Sequence, residues 1–368
     1  MVVAAAALAL AAPVLAAPPQ VTGHAYVIEN GSSGEVLLAR NPRASVPIAS
    51  ITKLMTVLLT LEHARPGDVV TVSGHAAQVG ESSINLRPGE RITVHDLIEA
   101  ALIQSANDAA DALAIHVGGG SEQRFVAMMN AKARALGLTS THFVRPDGLD
   151  APGHVSSARD VTLLARILMH RPLVRQIVRR RSATISGGRG LHTWNDLLST
   201  YPGLYGVKTG HTSAAGWSEV AAARRSGVTI YATLLGSPDR STRNADLAEL
   251  LDWGFSRYRR AEIVVRGRAY AQAELGYGRK PVALVAAGSL APAVRVGFPL
   301  VRRVVAADAA ELPVARGHTL GEIRVYQRGR LLGRVPLVAS RSVTRPALGG
   351  RVGWYARRTL HHMGGWFT

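Results

Sequence analysis

The sequence predicts an α+β domain built on an antiparallel sheet, followed by a smaller all-β domain. Three observations carry that expectation. Strand-like runs stand at both ends of residues 20–257, with helical runs between them. The closing runs, residues 218–223 and 228–235, flank Arg224-Arg225-Ser226-Gly227 and read as an antiparallel pair. Residues 261–345 are richer in Val, Gly and Pro, and 323–326 with 333–338 suggest a hairpin around Arg328-Gly329.

Taken in order, residues 1–17 are almost all Ala, Val and Leu and precede Pro18-Pro19. This reads as a secretory leader with Val14-Leu15-Ala16 before the cut, although no arginine occurs before Arg40. The segment is excluded from the fold. Residues 24–39 form a hairpin about Asn30-Gly31-Ser32-Ser33-Gly34. A helix begins near Ser50, after Pro47. Residues 69–72, 84–86 and 91–94 read as short strands. A helix from Val94 ends near Gln104, and Ser105-Ala106-Asn107 is the loop before the next helix, 109–116. Gly118-Gly119-Gly120 stops that helix, and Gly137 stops another over 123–136. Residues 156–170 open a helix with Ser157 as cap. Residues 246–255 close the domain as a helix, and 257–260 read as a linker.

The chain has 368 residues, enough for two domains with ample core. A net charge of +18 favours polyanionic partners. Nucleic acid is disfavoured, because there is no zinc-finger spacing, aromatic RNA-binding signature or lysine-rich tail. An anionic membrane surface or a cell wall fits the charge as well. With no cysteine, disulfides and thiolate chemistry are excluded. The histidines show no metal-ligand spacing, and no cofactor is expected.

The chemistry centres on Ser50-Ile51-Thr52-Lys53. At a spacing of three, Ser50 and Lys53 share one helix face. A hydroxyl needs a base before it attacks a carbonyl, and a neutral amine one turn away can serve. Of the 43 basic residues four are lysines (Lys53, Lys132, Lys208 and Lys280), which leaves 39 arginines. Arginine does not give up its proton, whereas a desolvated lysine does. Alone, Ser-x-x-Lys is a common match. Two later tripeptides change that: Ser105-Ala106-Asn107 and Lys208-Thr209-Gly210, in this order and at these separations.

Together the three motifs resemble the low-molecular-mass penicillin-binding proteins, the serine D-Ala-D-Ala carboxypeptidases. The flanks agree, as in Lys53-Leu-Met-Thr, Asn107-Asp-Ala-Ala, Lys208-Thr-Gly-His-Thr, Pro146-Asp-Gly-Leu149 and Leu250-Leu-Asp-Trp-Gly-Phe255. The resemblance is dense from about residue 25 to 258 and thin beyond it. It implies a penicillin-binding-protein/β-lactamase-like transpeptidase domain, an antiparallel sheet with a helical cluster, and then a β-sandwich spacer. It implies Ser50 as acyl-ester nucleophile and Lys53 as its general base, with Ser105 relaying a proton and Asn107 holding the substrate amide. Lys208 and Thr209 would meet the terminal carboxylate, and Gly210 would let the substrate backbone approach. The backbone N–H groups of Ser50 and His211 would form the oxyanion hole. A second cation for the carboxylate is expected at Arg243, with Arg240 as competitor. His154 lies in a loop that the resemblance sets near the cleft, though a surface or structural role is the preferred reading.

The implied activity is removal of the terminal D-Ala from peptidoglycan stem peptides, outside the cytoplasmic membrane, with β-lactam antibiotics as inhibitors. The alternatives are an endopeptidase on D-Ala cross-links, a β-lactamase, or a catalytically silent wall-binding protein. Last, residues 348–368 read as a basic amphipathic helix. Val352, Tyr355, Ala356, Thr359, Leu360, Met363, Trp366 and Phe367 share one arc of the 351–368 wheel, and Arg351, Arg357, Arg358, His361 and His362 the opposite one. Such a helix suits a membrane interface. The competing reading packs it on its own β domain.

Overall fold

The computed structural model of the chain describes residues 2–8 and 16–354. It comprises two units, residues 16–256 and residues 257 onward, the latter with the first strand, β1 (Val2–Leu8).

In the larger unit β2 (Ala25–Asn30) and β3 (Val36–Arg40) form the expected hairpin. Asn30 closes its turn by accepting the Ser32 and Ser33 N–H groups at 2.9 and 3.0 Å. A 3-10 turn, Ala49–Thr52, runs straight into α1 (Lys53–His63). Residues 53–60 of that helix are all buried, which marks it as a central core helix. β4 (Val69–Thr71), α2 (Gly74–Ala77), β5 (Arg91–Thr93) and α3 (Val94–Glu99) follow. α3 is capped by Thr93 and continues into a π-helical turn, Ala100–Gln104. Next come α4 (Asn107–Val117), α5 (Glu122–Ala135), α6 (Ala158–Leu168) and α7 (Pro172–Val178). Ser157 caps α6 as expected, accepting the Asp160 N–H at 3.2 Å. A hairpin of β6 (Ser182–Ile185) and β7 (Arg189–His192) precedes α8 (Leu197–Thr200), β8 (Leu204–Thr212), β9 (Gly216–Arg225), β10 (Val228–Ser237) and α9 (Arg240–Ser256). The five-stranded sheet has the order β3-β2-β10-β9-β8 and is antiparallel throughout.

Several expectations need correction. Residues 84–86 are not a strand. The buried Asp108 carboxylate takes the N–H groups of Ile84 and Leu86 and the hydroxyl of Ser83, so a side chain replaces a ladder partner. Asn107 begins α4 rather than lying in a loop. α9 starts at Arg240, six residues before the expected start, because Asp239 accepts the Thr242 N–H and hydroxyl and caps the turn. α7 and the β6–β7 hairpin were not anticipated.

In the smaller unit the seven-stranded sheet has the order β1-β15-β17-β18-β13-β12-β16, from β12 (Ala269–Leu275), β13 (Val282–Ala286), β15 (Leu300–Ala306), β16 (Ala309–Ala310), β17 (Thr319–Gln327) and β18 (Arg330–Ala339). β17 and β18 are the hairpin expected around Arg328-Gly329. Residues 257–260 are no linker: β11 (Tyr258–Arg260) pairs with β14 (Ala293–Arg295). Val264, Leu284, Leu300, Ile323, Val325 and Leu337 are fully buried and form the core. Residues 2–8, set aside above as leader, pair antiparallel with β15 through backbone bonds. Residues 348–354 are helical, and the rest of the amphipathic segment lies outside the described residues.

His154 is a structural residue of the larger unit. Its Nδ1 accepts the Val144 N–H at 3.0 Å, so its proton sits on Nε2, 2.7 Å from the Thr52 hydroxyl. Burial pushes its pKa down from 6.5 to about 4. The folded protein therefore binds fewer protons than the unfolded chain between these values. Its stability is full above about pH 6.5 and is lost as pH falls through about 4, by at most about 3 kcal/mol from this group. In His154→Gln the loss between pH 7 and pH 4.5, measured by denaturant unfolding, should shrink; an unchanged loss would assign it to another group.

Candidate active site

Ser50 stands on the 3-10 turn between strained and tightly packed neighbours. Ala49 before it has φ 49°, in the left-handed region that a residue with a side chain seldom adopts. Gly148, at φ 87°, lies so close that an added Cβ would come within 2.1 Å of the Ala49 carbonyl oxygen. The Pro146–Leu149 stretch is thus pressed against the Ser50 turn, and Thr56 ties it to α1 by donating to the Pro146 carbonyl at 2.6 Å.

Lys53 is fully buried beside Ser50. Its Nζ lies 2.7 Å from each of three oxygens: Ser50 Oγ, Asn107 Oδ1 and the Asp147 carbonyl. The Asn107 amide has a fixed orientation, because its Nδ2 donates to the Gly80 carbonyl at 2.9 Å. Asn107 Oδ1 and the Asp147 carbonyl only accept. A neutral amine gives them its two N–H groups and turns its lone pair towards the Ser50 hydroxyl. Burial pulls the Lys53 pKa down from 10.5 to about 8, partly opposed by the negative charges of Asp147 and Asp111. The neutral form is therefore accessible near physiological pH.

Ser105 ends the π-helical turn in the left-handed conformation, φ 65°, and is nearly buried. Lys208 on β8 donates to Ser105 Oγ and to the Thr209 carbonyl, both at 2.8 Å. Burial, then the charge of Lys53, holds its pKa well below the ordinary lysine range. Lys208 is buried, with its Nζ held by Ser105 and the Thr209 carbonyl, and it is not among the residues lining the cleft. Gly210, which lines the cleft, is also packed against the Ser50 turn. A Cβ there would lie 2.7 Å from the Ile48 carbonyl oxygen and 3.2 Å from the Ala49 Cβ. Its bare backbone admits the Ser50 turn.

The cleft has a volume of about 250 Å³, and Ser50, Ser105, Asn107, Thr209, Gly210, His211 and Arg243 all line it. Arg243, from the first turn of α9, is 1% exposed and faces the cleft. Arg240 pairs with Asp196, Nε to Oδ2 at 2.8 Å, and does not line the cleft. Trp194, Trp217, Glu81 and Ser82 complete the lining and went unread in the sequence. His211 stacks on Trp217 with ring centroids 4.0 Å apart. Glu219, opposite Thr209 in the β8–β9 register, was likewise missed. It is fully buried, lies 3.3 Å from Arg243 Nε, and burial pushes its carboxyl up to about 7 against the pull of Arg243.

Comparison with solved structures defines the class. Penicillin binding protein 5 from Haemophilus influenzae superposes with a TM-score of 0.65 at 28% identity, covering 90% of this chain and all of that one. The Streptomyces K15 DD-transpeptidase gives 0.62 at 29% identity, over 66% of this chain and all of its own. The larger unit is thus the fold of penicillin-binding serine DD-peptidases.

Within that class, the profile of the D-alanyl-D-alanine carboxypeptidase family, peptidase S11, matches residues 12–239, and the chain belongs to that family. D-alanyl-D-alanine carboxypeptidase DacD of Salmonella typhimurium is 33% identical over 92% of this chain and 90% of its own length. D-alanyl-D-alanine carboxypeptidase DacF of Bacillus subtilis is 32% identical over 86% and 84%.

The role of Gly210 can be tested by Gly210→Ala. Both atoms that a Cβ would meet most closely belong to the Ser50 turn, so β8 and that turn must separate. The substitution should lower stability by about 1–3 kcal/mol and depress acylation; a protein unchanged in denaturant midpoint would show that the turn yields freely.

Proposed function

We propose that the chain is a serine-type D-alanyl-D-alanine carboxypeptidase acting on peptidoglycan stem peptides through an acyl-enzyme. The observation that carries this reading is the triple contact of Lys53 Nζ, which leaves the amine lone pair for Ser50. Ser50 Oγ gives its proton to Lys53 and attacks the carbonyl carbon of the penultimate D-Ala. The N–H groups of Ser50 and His211 receive the oxyanion. On collapse the C–N bond breaks, and the leaving D-alanine nitrogen takes the proton from Lys53, relayed by Ser105. Water then hydrolyses the ester, with its proton passing through Lys53 back to Ser50 Oγ. The products are free D-alanine and a stem peptide one residue shorter.

The terminal carboxylate of the substrate is assigned to Arg243 and the Thr209 hydroxyl, which line the cleft. Lys208 supports this end from below, through its bond to Ser105. Asn107 both orients Lys53 and offers its amide towards the substrate. A β-lactam enters the same path, because its strained amide acylates Ser50 while the leaving nitrogen stays tethered.

The charge and both ends of the sequence support a location for this activity. The leader composition of residues 1–17 supports export across the cytoplasmic membrane, with residues 20–257 catalytic and 261–345 a spacer. The opposed arcs of residues 351–368 support attachment to the outer face of that membrane. Among the described residues no helix is long and apolar enough to cross a membrane. Deleting residues 350–368 should release the mature protein from anionic vesicles and spare hydrolysis of a soluble peptide. Continued sedimentation with the vesicles would refute the attachment.

The base is tested by comparing two substitutions. Lys53→Arg keeps a cation and removes the proton acceptor, since arginine stays protonated with a pKa above about 12. Acylation by a chromogenic β-lactam should fall by about 10²–10⁴-fold, with the circular dichroism spectrum unchanged. Lys208→Arg, which keeps a donor towards Ser105, should retain more activity. In the parent, peptide mapping after penicillin treatment should place the adduct on Ser50. Near-parental acylation by Lys53→Arg would remove Lys53 from the role of base.

A further inference from the structure

Behind the Ser50 cleft the fold assembles three side chains that the sequence keeps apart. His75 lies on α2, Asp111 on α4, and Glu122 at the start of α5. One ligand atom from each lies within 4.8 Å of the other two, and among the described residues this is the cluster with that property. Both α2 and α5 pack on α4, which brings the three together. The linear spacing gives no hint of it, as the intervals of 36 and 11 residues match no metal-ligand pattern.

A cluster of this kind often amounts to an ion pair, and His75 Nε2 does lie 2.9 Å from Glu122 Oε2. Asp111 is what that account leaves over. Its side chain is 1% exposed, and its Oδ1 is buried with no hydrogen-bond partner. A buried carboxylate oxygen without a donor is costly, on the order of 1–3 kcal/mol or more. The nearby cations are committed elsewhere. Arg145 holds Asp147 bidentately, with both bonds at 2.6 Å, and Lys53 is bound to Ser50, Asn107 and the Asp147 carbonyl. Burial, then the charges of Asp147 and Glu122, pushes the Asp111 carboxyl up to about 8 against the pull of Arg145 and Lys53.

We propose that His75, Asp111 and Glu122 form a binding site for a divalent transition-metal ion of the zinc type. One imidazole nitrogen and two carboxylate oxygens, with water in the fourth position, suit zinc. Calcium and magnesium prefer oxygen alone. Zinc bonds of about 2.0–2.2 Å bring three donors to roughly 3.5 Å of one another. The ligand atoms here lie within 4.8 Å of one another, with His75 Nε2 and Glu122 Oε2 at 2.9 Å, and the donors free to adjust are the solvent-facing ones: the His75 side chain is 66% exposed and that of Glu122 22%. The same exposure gives the ion its entry path, while Asp111 is the fixed inner ligand. The ion would join α2, α4 and α5 one helical turn from Asn107, on the face of α4 that Asp111 shares with it.

The test uses the full chain, stripped of metal and titrated calorimetrically with zinc chloride. One saturable site per chain is expected, weakened at least tenfold in Asp111→Asn and in His75→Ala, with a zinc-dependent rise in melting temperature that both variants lose. Calcium and magnesium chloride should not reproduce it. His75→Ala alters an exposed side chain, so it keeps the test decisive if Asp111→Asn folds poorly. No saturable zinc binding by the folded parent, affinity unchanged in His75→Ala, or equal binding of calcium would each overturn the proposal.

Discussion

An amine buried without a carboxylate bonded to it constrains everything near Ser50. Charged, Lys53 is penalised by desolvation; neutral, it needs acceptors for two N–H groups. Its acceptors come from separate parts of the chain, Asn107 at the start of α4 and the carbonyl of Asp147. Each is itself fixed, the first by the Gly80 carbonyl and the second within the stretch tied to α1 by Thr56. The π-helical turn and the left-handed Ser105 then bring the start of α4 to Lys53. A shift of one of these elements would leave a buried N–H unpaired or turn the lone pair away from Ser50.

The floor of the cleft repeats this logic with more charge. Lys208 lies under Ser105, and Arg243 lies over Trp217 and against the buried Glu219. With its carboxyl pushed up to about 7, Glu219 changes protonation close to neutrality. Arg243 thus faces an anion on the alkaline side and a neutral acid on the acid side, and its attraction for a further carboxylate is stronger in the second case. Asp196 contributes from the rim, where Arg240 and Asn244 hold it.

The motif residues Ser50, Lys53, Ser105 and Asn107 were legible because their spacing carries the chemistry, and the structure brings them together around Lys53 Nζ and the cleft. The sheet strands and most helices were legible from periodicity and caps such as Ser157. What escaped depended on long-range partners. Residues 84–86 have a strand-like composition, but a carboxylate 24 and 22 residues away claims the N–H groups of Ile84 and Leu86. Arg240 and Arg243 both lie in the first turn of α9, and the sequence does not say which of them lines the cleft. The close approach of Gly210 to the Ser50 turn was not legible either, because it joins two elements far apart in the chain. Glu219 reads as an interruption in an apolar strand, and its partner lies on a different element.

The placement of the lysines has a consequence for covalent chemistry at large. Lys53 and Lys208 are enclosed, so the described exterior shows amines at Lys132, which is paired with Glu62 at 2.6 Å, and at the exposed Lys280. Guanidinium groups supply the rest of the positive surface, and they keep their protons and stay poor nucleophiles. A reagent that acylates nitrogen therefore meets an almost blank exterior. Haptenation, amine-directed cross-linking and lysine-specific proteolysis would all find little purchase on this molecule, although it is strongly cationic.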